Sequence, residues 1–132
     1  MGETERETGL MSAKVTTIVF DAGDPPALAA FWADVLGWTA RRPDEDGEVV
    51  VVPRLEESSF ILLFIPVAEP KSAKNRVHLD VNPVGVEQQE ELERLLQLGA
   101  TQIDIGQGEQ TWHVLADPEG NEFCLLRRTL DG

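Results

Sequence analysis

Lys74-Asn75-Arg76-Val77-His78-Leu79-Asp80-Val81 is the stretch from which the fold can be read. Apolar Val77, Leu79 and Val81 alternate with polar Arg76, His78 and Asp80. Successive side chains on a β-strand point to opposite faces, so a period of two marks a strand with one face in a core. The pattern predicts a strand over 75–81 whose polar face looks at water or lines a cavity. His78, one of 2 histidines in the chain, stands mid-strand on that polar face. It is either a solvated surface histidine or part of a site.

Downstream, 86–98 places Leu92, Leu95 and Leu96 at helical spacing, to be read as turned inward. Glu87, Glu90 and Glu91 lie near the positive end of that helix, where carboxylates are favoured. Gly99 closes it. Strands are predicted over 101–105, 111–116 and 122–127, with Gly106-Gln107-Gly108 and Asp117-Pro118-Glu119-Gly120-Asn121 as turns. The last of these has too few regularly spaced oxygen ligands for a calcium loop.

Upstream, 69–74 is a polar linker, and before it the same order is found. A β-rich run over 15–20 is followed by Asp24-Pro25-Pro26, an acidic cap with proline where no amide donor is needed. Leu28, Phe31, Trp32, Val35 and Leu36 then form one apolar helical stripe, ended by Gly37. Strands follow over 38–42, 49–52 and 60–65, with a hairpin loop at 43–47. A βαβββ unit is thus written twice, with Leu36-Gly37 and Leu98-Gly99 as matching punctuation and Thr17 and His78 at matching places in the opening strands.

The chain has 132 residues, 42% of them hydrophobic, enough for one domain with an ordinary core. Its formal net charge of -13 disfavours nucleic acid and anionic membranes, both of which attract basic patches. A single cysteine, Cys124, leaves no internal disulfide and fits a reducing cytoplasm. No apolar run approaches the roughly 20 residues of a membrane span. Residues 1–12 read as a disordered leader, and 13–130 as one domain with modules at 13–68 and 74–130.

Three motifs on this frame carry a resemblance: Phe31-Trp32-Ala33-Asp34-Val35-Leu36-Gly37-Trp38, Asn75-Arg76-Val77-His78-Leu79-Asp80, and Asp117-Pro118-Glu119-Gly120-Asn121-Glu122-Phe123-Cys124-Leu125. With them the chain resembles the vicinal oxygen chelate superfamily, in particular its small glyoxalase-like members (glyoxalase, bleomycin resistance protein, dioxygenase). The resemblance implies an α+β fold of two βαβββ modules whose sheets bend into a half-barrel or barrel around a cavity, with the helices on the outer face. It also implies modules that pair within or between chains. Because open strand edges are usually paired or covered, a homodimer is expected.

In metal-using members four cavity positions supply ligands, and they map onto Thr17, Leu62, His78 and Cys124. Only His78 is of the expected type; Leu62 can donate nothing, and Cys124 stands in place of a glutamate. A histidine and one thiol make a poor hard-metal site, and zinc usually takes three protein ligands even when catalytic. No cofactor is therefore expected, a divalent metal being disfavoured. Strand parity offers a shifted cluster of His78, Asp80, Glu122 and Cys124, with carboxylates and an imidazole suited to acid–base work. His78 and Glu122 are the candidate catalytic residues. Thr17, Leu62, His78, Asp80, Trp112 and Cys124 are the candidate ligand-binding residues, Trp112 as a cavity wall or as core. Cys124 as a nucleophile would need a depressed pKa and a base. His113 reads as structural or exposed.

The leading expectation is a cytoplasmic glyoxalase-like protein that binds, and in one version transforms, a small organic molecule. A metal-free drug-binding protein of the bleomycin-resistance type is the alternative. A metal-dependent lyase, isomerase or dioxygenase is the third reading.

Overall fold

Asp24 begins the first helix as the sequence requires: its Oδ1 accepts from the Ala27 amide at 3.2 Å, with Pro25 at the first helical position. In this computed structural model, which describes residues 5, 11–54, 58, 60–103 and 111–132, the helix α1 runs Pro25–Leu36. It stops at Gly37, whose φ of 71° is the left-handed conformation that glycine adopts without steric cost. Before it lies β1 (Thr17–Ala22), and after it β2 (Thr39–Ala40), β3 (Val49–Val52) and β4 (Ile61–Pro66). The second module repeats the order as β5 (Leu79–Val81), α2 (Gln88–Leu98), β6 (Thr101–Gln102), β7 (His113–Ala116) and β8 (Glu122–Leu125).

The repeat extends to topology. The sheets are ordered β1-β4-β3-β2 and β5-β8-β7-β6, and in each the first strand pairs in parallel with the last while the other pairs are antiparallel. The α+β class and the two βαβββ modules are as expected, but the two sheets remain separate and do not close into a barrel.

Register decides which side chains meet the helix. Ile18 and Phe20 sit opposite Leu62 and Phe64, which in turn face Val51 and Val49. That face is core: Leu62, Phe64, Val49 and Val51 are all buried under α1. The other face carries Thr17, Val19 and Asp21. In the second sheet Leu79, Phe123 and Leu115 align toward the core, and Asp80, Cys124 and Val114 align on the opposite face.

One core spans both modules, and Trp32 is its joint. Its ring lies 5.0 Å from that of Phe123 and 5.4 Å from that of Phe31, both edge-on, and 5.7 Å from that of Phe20. Its indole N–H donates to buried Asp117 at 2.9 Å, so the polar end of a fully buried ring is satisfied. Asp117 in turn ties its own turn, accepting from the Glu119 and Asn121 amides and the Asn121 side chain. Two more seams join the modules. Glu119 accepts from the Gly23 and Asp24 amides at 2.7 and 2.8 Å, and Arg94 of α2 donates to the Asp34 and Val35 carbonyls near the end of α1. Those carbonyls lack partners within the helix, and a cation there complements its dipole.

Several sequence-based boundaries are corrected. The strand expected over 75–81 is hydrogen-bonded only from Leu79, leaving His78 just ahead of it and Val77 80% exposed rather than in the core. Its neighbour β8 begins at Glu122 and Leu79 already pairs with Phe123, so the ladder has little strand left to extend along. Leu96, expected inward, is exposed while Leu92 and Leu95 are buried. The strand at 38–42 shrinks to Thr39–Ala40, that at 111–116 to His113–Ala116 and that at 122–127 to Glu122–Leu125. The leader, apart from Glu5, Met11 and Ser12, lies outside the described residues. So do the turn at 106–108 and the end of the strand at 101–105. Among the described residues no helix is long and apolar enough to cross a membrane.

Candidate functional site

Between the modules lies a groove of about 790 Å³, walled by Val19 and Asp21 of β1, Lys71 and Arg76 of the linker region, His78, and Glu122 of β8. Its floor reaches Trp32 and Phe123, so the same core joint that holds the modules together shapes the recess.

Glu122 is fixed from several sides. Oε1 accepts from the Asn75 amide at 3.0 Å, Oε2 meets Lys71 Nζ at 3.3 Å, and the Glu122 carbonyl accepts from the Asn75 side chain. Burial pushes its carboxyl up, but the Asn75 amide, its own amide and Lys71 outweigh burial and hold it below the usual range. A carboxylate held this way is a structural anchor for the linker and a weak general acid or base at neutral pH. The sign of its contribution follows. With its folded-state pKa depressed, the stabilisation is present above the unfolded carboxylate range and is lost as pH falls through the lower folded value. Between about pH 5 and pH 3 the melting temperature of the wild type should therefore fall more steeply than that of Glu122→Gln. Parallel melting curves for the two proteins across that window would refute the anchor.

The shifted cluster comes together only in part. His78 Nε2 lies 3.1 Å from Asp80 Oδ1, and one donor atom each from His78, Asp80 and Cys124 fall within 4.8 Å of one another. Register explains the convergence, since Asp80 and Cys124 are direct partners across β5 and β8. Glu122 is turned instead to Lys71 and Asn75. His78 and Asp80 are about half exposed (48% and 49%), so as an ion pair alone they contribute little. Burial pushes the Cys124 thiol up and Asp80 adds to this, against the opposing pull of Lys74. A thiol shifted upward lacks the thiolate character a nucleophile needs, so the geometry does not supply the depressed pKa that role requires.

The remaining candidates are scattered. Leu62 does not reach the cavity: it is 1% exposed in the core under α1, because its register with Ile18 and Val51 turns it to the helix face. Thr17, its neighbour in the mapped set, sits on the opposite face of that sheet. Trp112 is half-exposed at the start of the β7 segment, apart from the groove and outside the core. His113 shares a hydrogen bond with Gln102, Nδ1 to Nε2 at 3.0 Å, as a structural pair. Four converging metal donors at the mapped positions are thus not built here. Sequence reasoning put Arg76 on the polar face of its strand but gave no site role to Asp21, Lys71 or Glu119, which line the groove from the end of β1, the linker and a turn.

With this geometry in view, a family model described as glyoxalase-like domain matches residues 17–126. Solved structures share the fold. One is the fosfomycin resistance protein FosX from Mesorhizobium loti, with TM-score 0.65, 13% identity, and coverage of 91% of this chain and 95% of that one. Another is FosX from Listeria monocytogenes, with TM-score 0.62, 15% identity, and coverage of 89% and 91%. A possible glyoxalase from Bacillus cereus gives TM-score 0.61, 16% identity, and coverage of 87% and 99%. At such identities the likeness is one of fold. A comparison with curated proteins finds no match.

Proposed function

The chain belongs to the glyoxalase-like domain family, and we propose that this protein binds a small polar organic molecule in the groove between its two modules. The observation that carries the reading is the groove itself. Its volume of about 790 Å³ falls within the roughly 300–1,000 Å³ usual for ligand sites. It combines apolar walls from Val19, Phe20 and Leu79 with the charged side chains of Asp21 and Arg76 and the imidazole of His78. Such a lining suits a compact molecule carrying both polar and apolar parts. The two structures named for fosfomycin resistance make fosfomycin one reasonable probe.

Binding without catalysis, as in a sequestering protein, is favoured over a four-ligand metal enzyme by one observation. Leu62 lies in the core and Thr17 on the other face, so the first module contributes no pair of donors to a shared metal.

The test is calorimetric titration, in the presence of EDTA, with fosfomycin and a set of small polar organic compounds. His78 touches the groove, and removing one partner of a polar contact costs about 1–3 kcal/mol, so His78→Ala should weaken binding about tenfold or more. His78 is half-exposed, so the melting temperature should barely move. His113→Ala should leave binding unchanged. Loss of binding in His113→Ala with retention in His78→Ala would place the site elsewhere.

A further inference from the structure

We propose that His78, Asp80 and Cys124 form a site for a zinc-class divalent ion, built wholly on the β5–β8 pair. The argument rests on how the strands deliver the donors. Asp80 and Cys124 are partners across a parallel ladder, so their side chains leave the sheet on the same face and side by side. His78, two residues before Asp80, turns its ring to the same place and meets the carboxylate at 3.1 Å. One donor atom from each residue lies within 4.8 Å of the others. A tetrahedral zinc with ligands at about 2.0–2.3 Å holds its donors about 3–4 Å apart, so small side-chain rotations bring this set onto one ion.

The donor chemistry selects the ion class. An imidazole, a carboxylate and a thiolate suit zinc or cobalt, whereas magnesium and calcium prefer oxygen alone. Three protein ligands leave the fourth position open, the pattern of a reactive or exchangeable zinc rather than a closed structural one. His78 and Asp80 are half-exposed and give the ion a path in, and His78 also borders the groove. Uptake releases the Cys124 thiol proton to solvent. The set differs from the four mapped positions in its third donor, Asp80, and takes nothing from the first module. It also departs from the sequence-based expectation of no metal, which rested on Thr17 and Leu62 and gave Asp80 no ligand role at those positions. The site stands independently of the groove reading, because its test uses no organic ligand.

Full-length protein stripped with EDTA would be titrated with Co²⁺ and then Zn²⁺, following stoichiometry by calorimetry and thiolate coordination by the near-ultraviolet sulfur-to-cobalt charge-transfer band. One ion per chain and a band displaced by zinc are expected. Cys124→Ser should abolish the band. His78→Ala and Asp80→Asn should each weaken zinc binding by at least about tenfold, while His113→Ala leaves it unchanged. Melting curves of the metal-free proteins establish that each variant folds, and if buried Cys124→Ser does not, exposed Asp80→Asn carries the test. Cobalt bound without the sulfur band, binding well below one ion per chain, or zinc affinity in Asp80→Asn equal to wild type would each overturn the site.

Discussion

Trp32→Ala should cost about 3–5 kcal/mol, the range for deleting a buried aromatic ring, and lower the melting temperature by roughly 10–20 °C in a domain of this size. The ring is almost fully buried and packs edge-on against both Phe31 and Phe123, so its removal opens a cavity at the point where the modules meet. It also strands Asp117, which loses the indole donor but keeps the Glu119 and Asn121 donors of its own turn. Trp32→Phe separates the two effects: it keeps most of the apolar volume and removes the hydrogen bond, and should cost about 1–2 kcal/mol. Chemical denaturation of all three proteins provides the comparison. If Trp32→Ala proved no worse than Trp32→Phe, packing at the joint would not be what holds the modules together.

Val19→Trp should abolish binding of any groove ligand, by about a hundredfold or more, while leaving stability within about 0.5 kcal/mol of wild type. Val19 lies on the outward face of edge strand β1, 51% exposed, and forms part of the groove wall. A tryptophan there has no core to disturb, and its added bulk points toward the volume a ligand would take. The measurement is the same calorimetric titration, with a melting curve to show that the fold survives. Undiminished affinity in a folded Val19→Trp protein would move the ligand out of the groove.

Local signals were the ones most readable in the sequence. The acidic cap at Asp24, the proline after it and the glycine at 37 each act within a few residues of where they stand, and α1 begins and ends where they say. The internal repeat was legible for the same reason, because helix punctuation and strand runs recur without reference to distant partners. What failed depended on pairing. The alternation of Val77, Leu79 and Val81 is real, yet the strand's length is set by β8, so Val77 is left in solvent. The face taken by Leu62 could not be read by parity, because Ile61, Leu62, Leu63, Phe64 and Ile65 are all apolar and both faces look alike until register is known. In the site, parity put Asp80 on the face of His78, and the β5–β8 register sets Asp80 beside Cys124. Parity could not show that the Glu122 carboxylate meets Asn75 and Lys71, which come from a stretch with no periodicity.

The most direct test of a ligand groove between the modules is amide chemical-shift mapping of ¹⁵N-labelled protein during titration with fosfomycin and the compound set. Perturbations concentrated at Val19, Asp21, Lys71, Arg76, His78 and Glu122 are expected for whichever compound binds. Perturbations confined to the recess beside α1 and α2 around Asp34, Glu90 and Arg94, with the residues of the first groove unmoved, would contradict it.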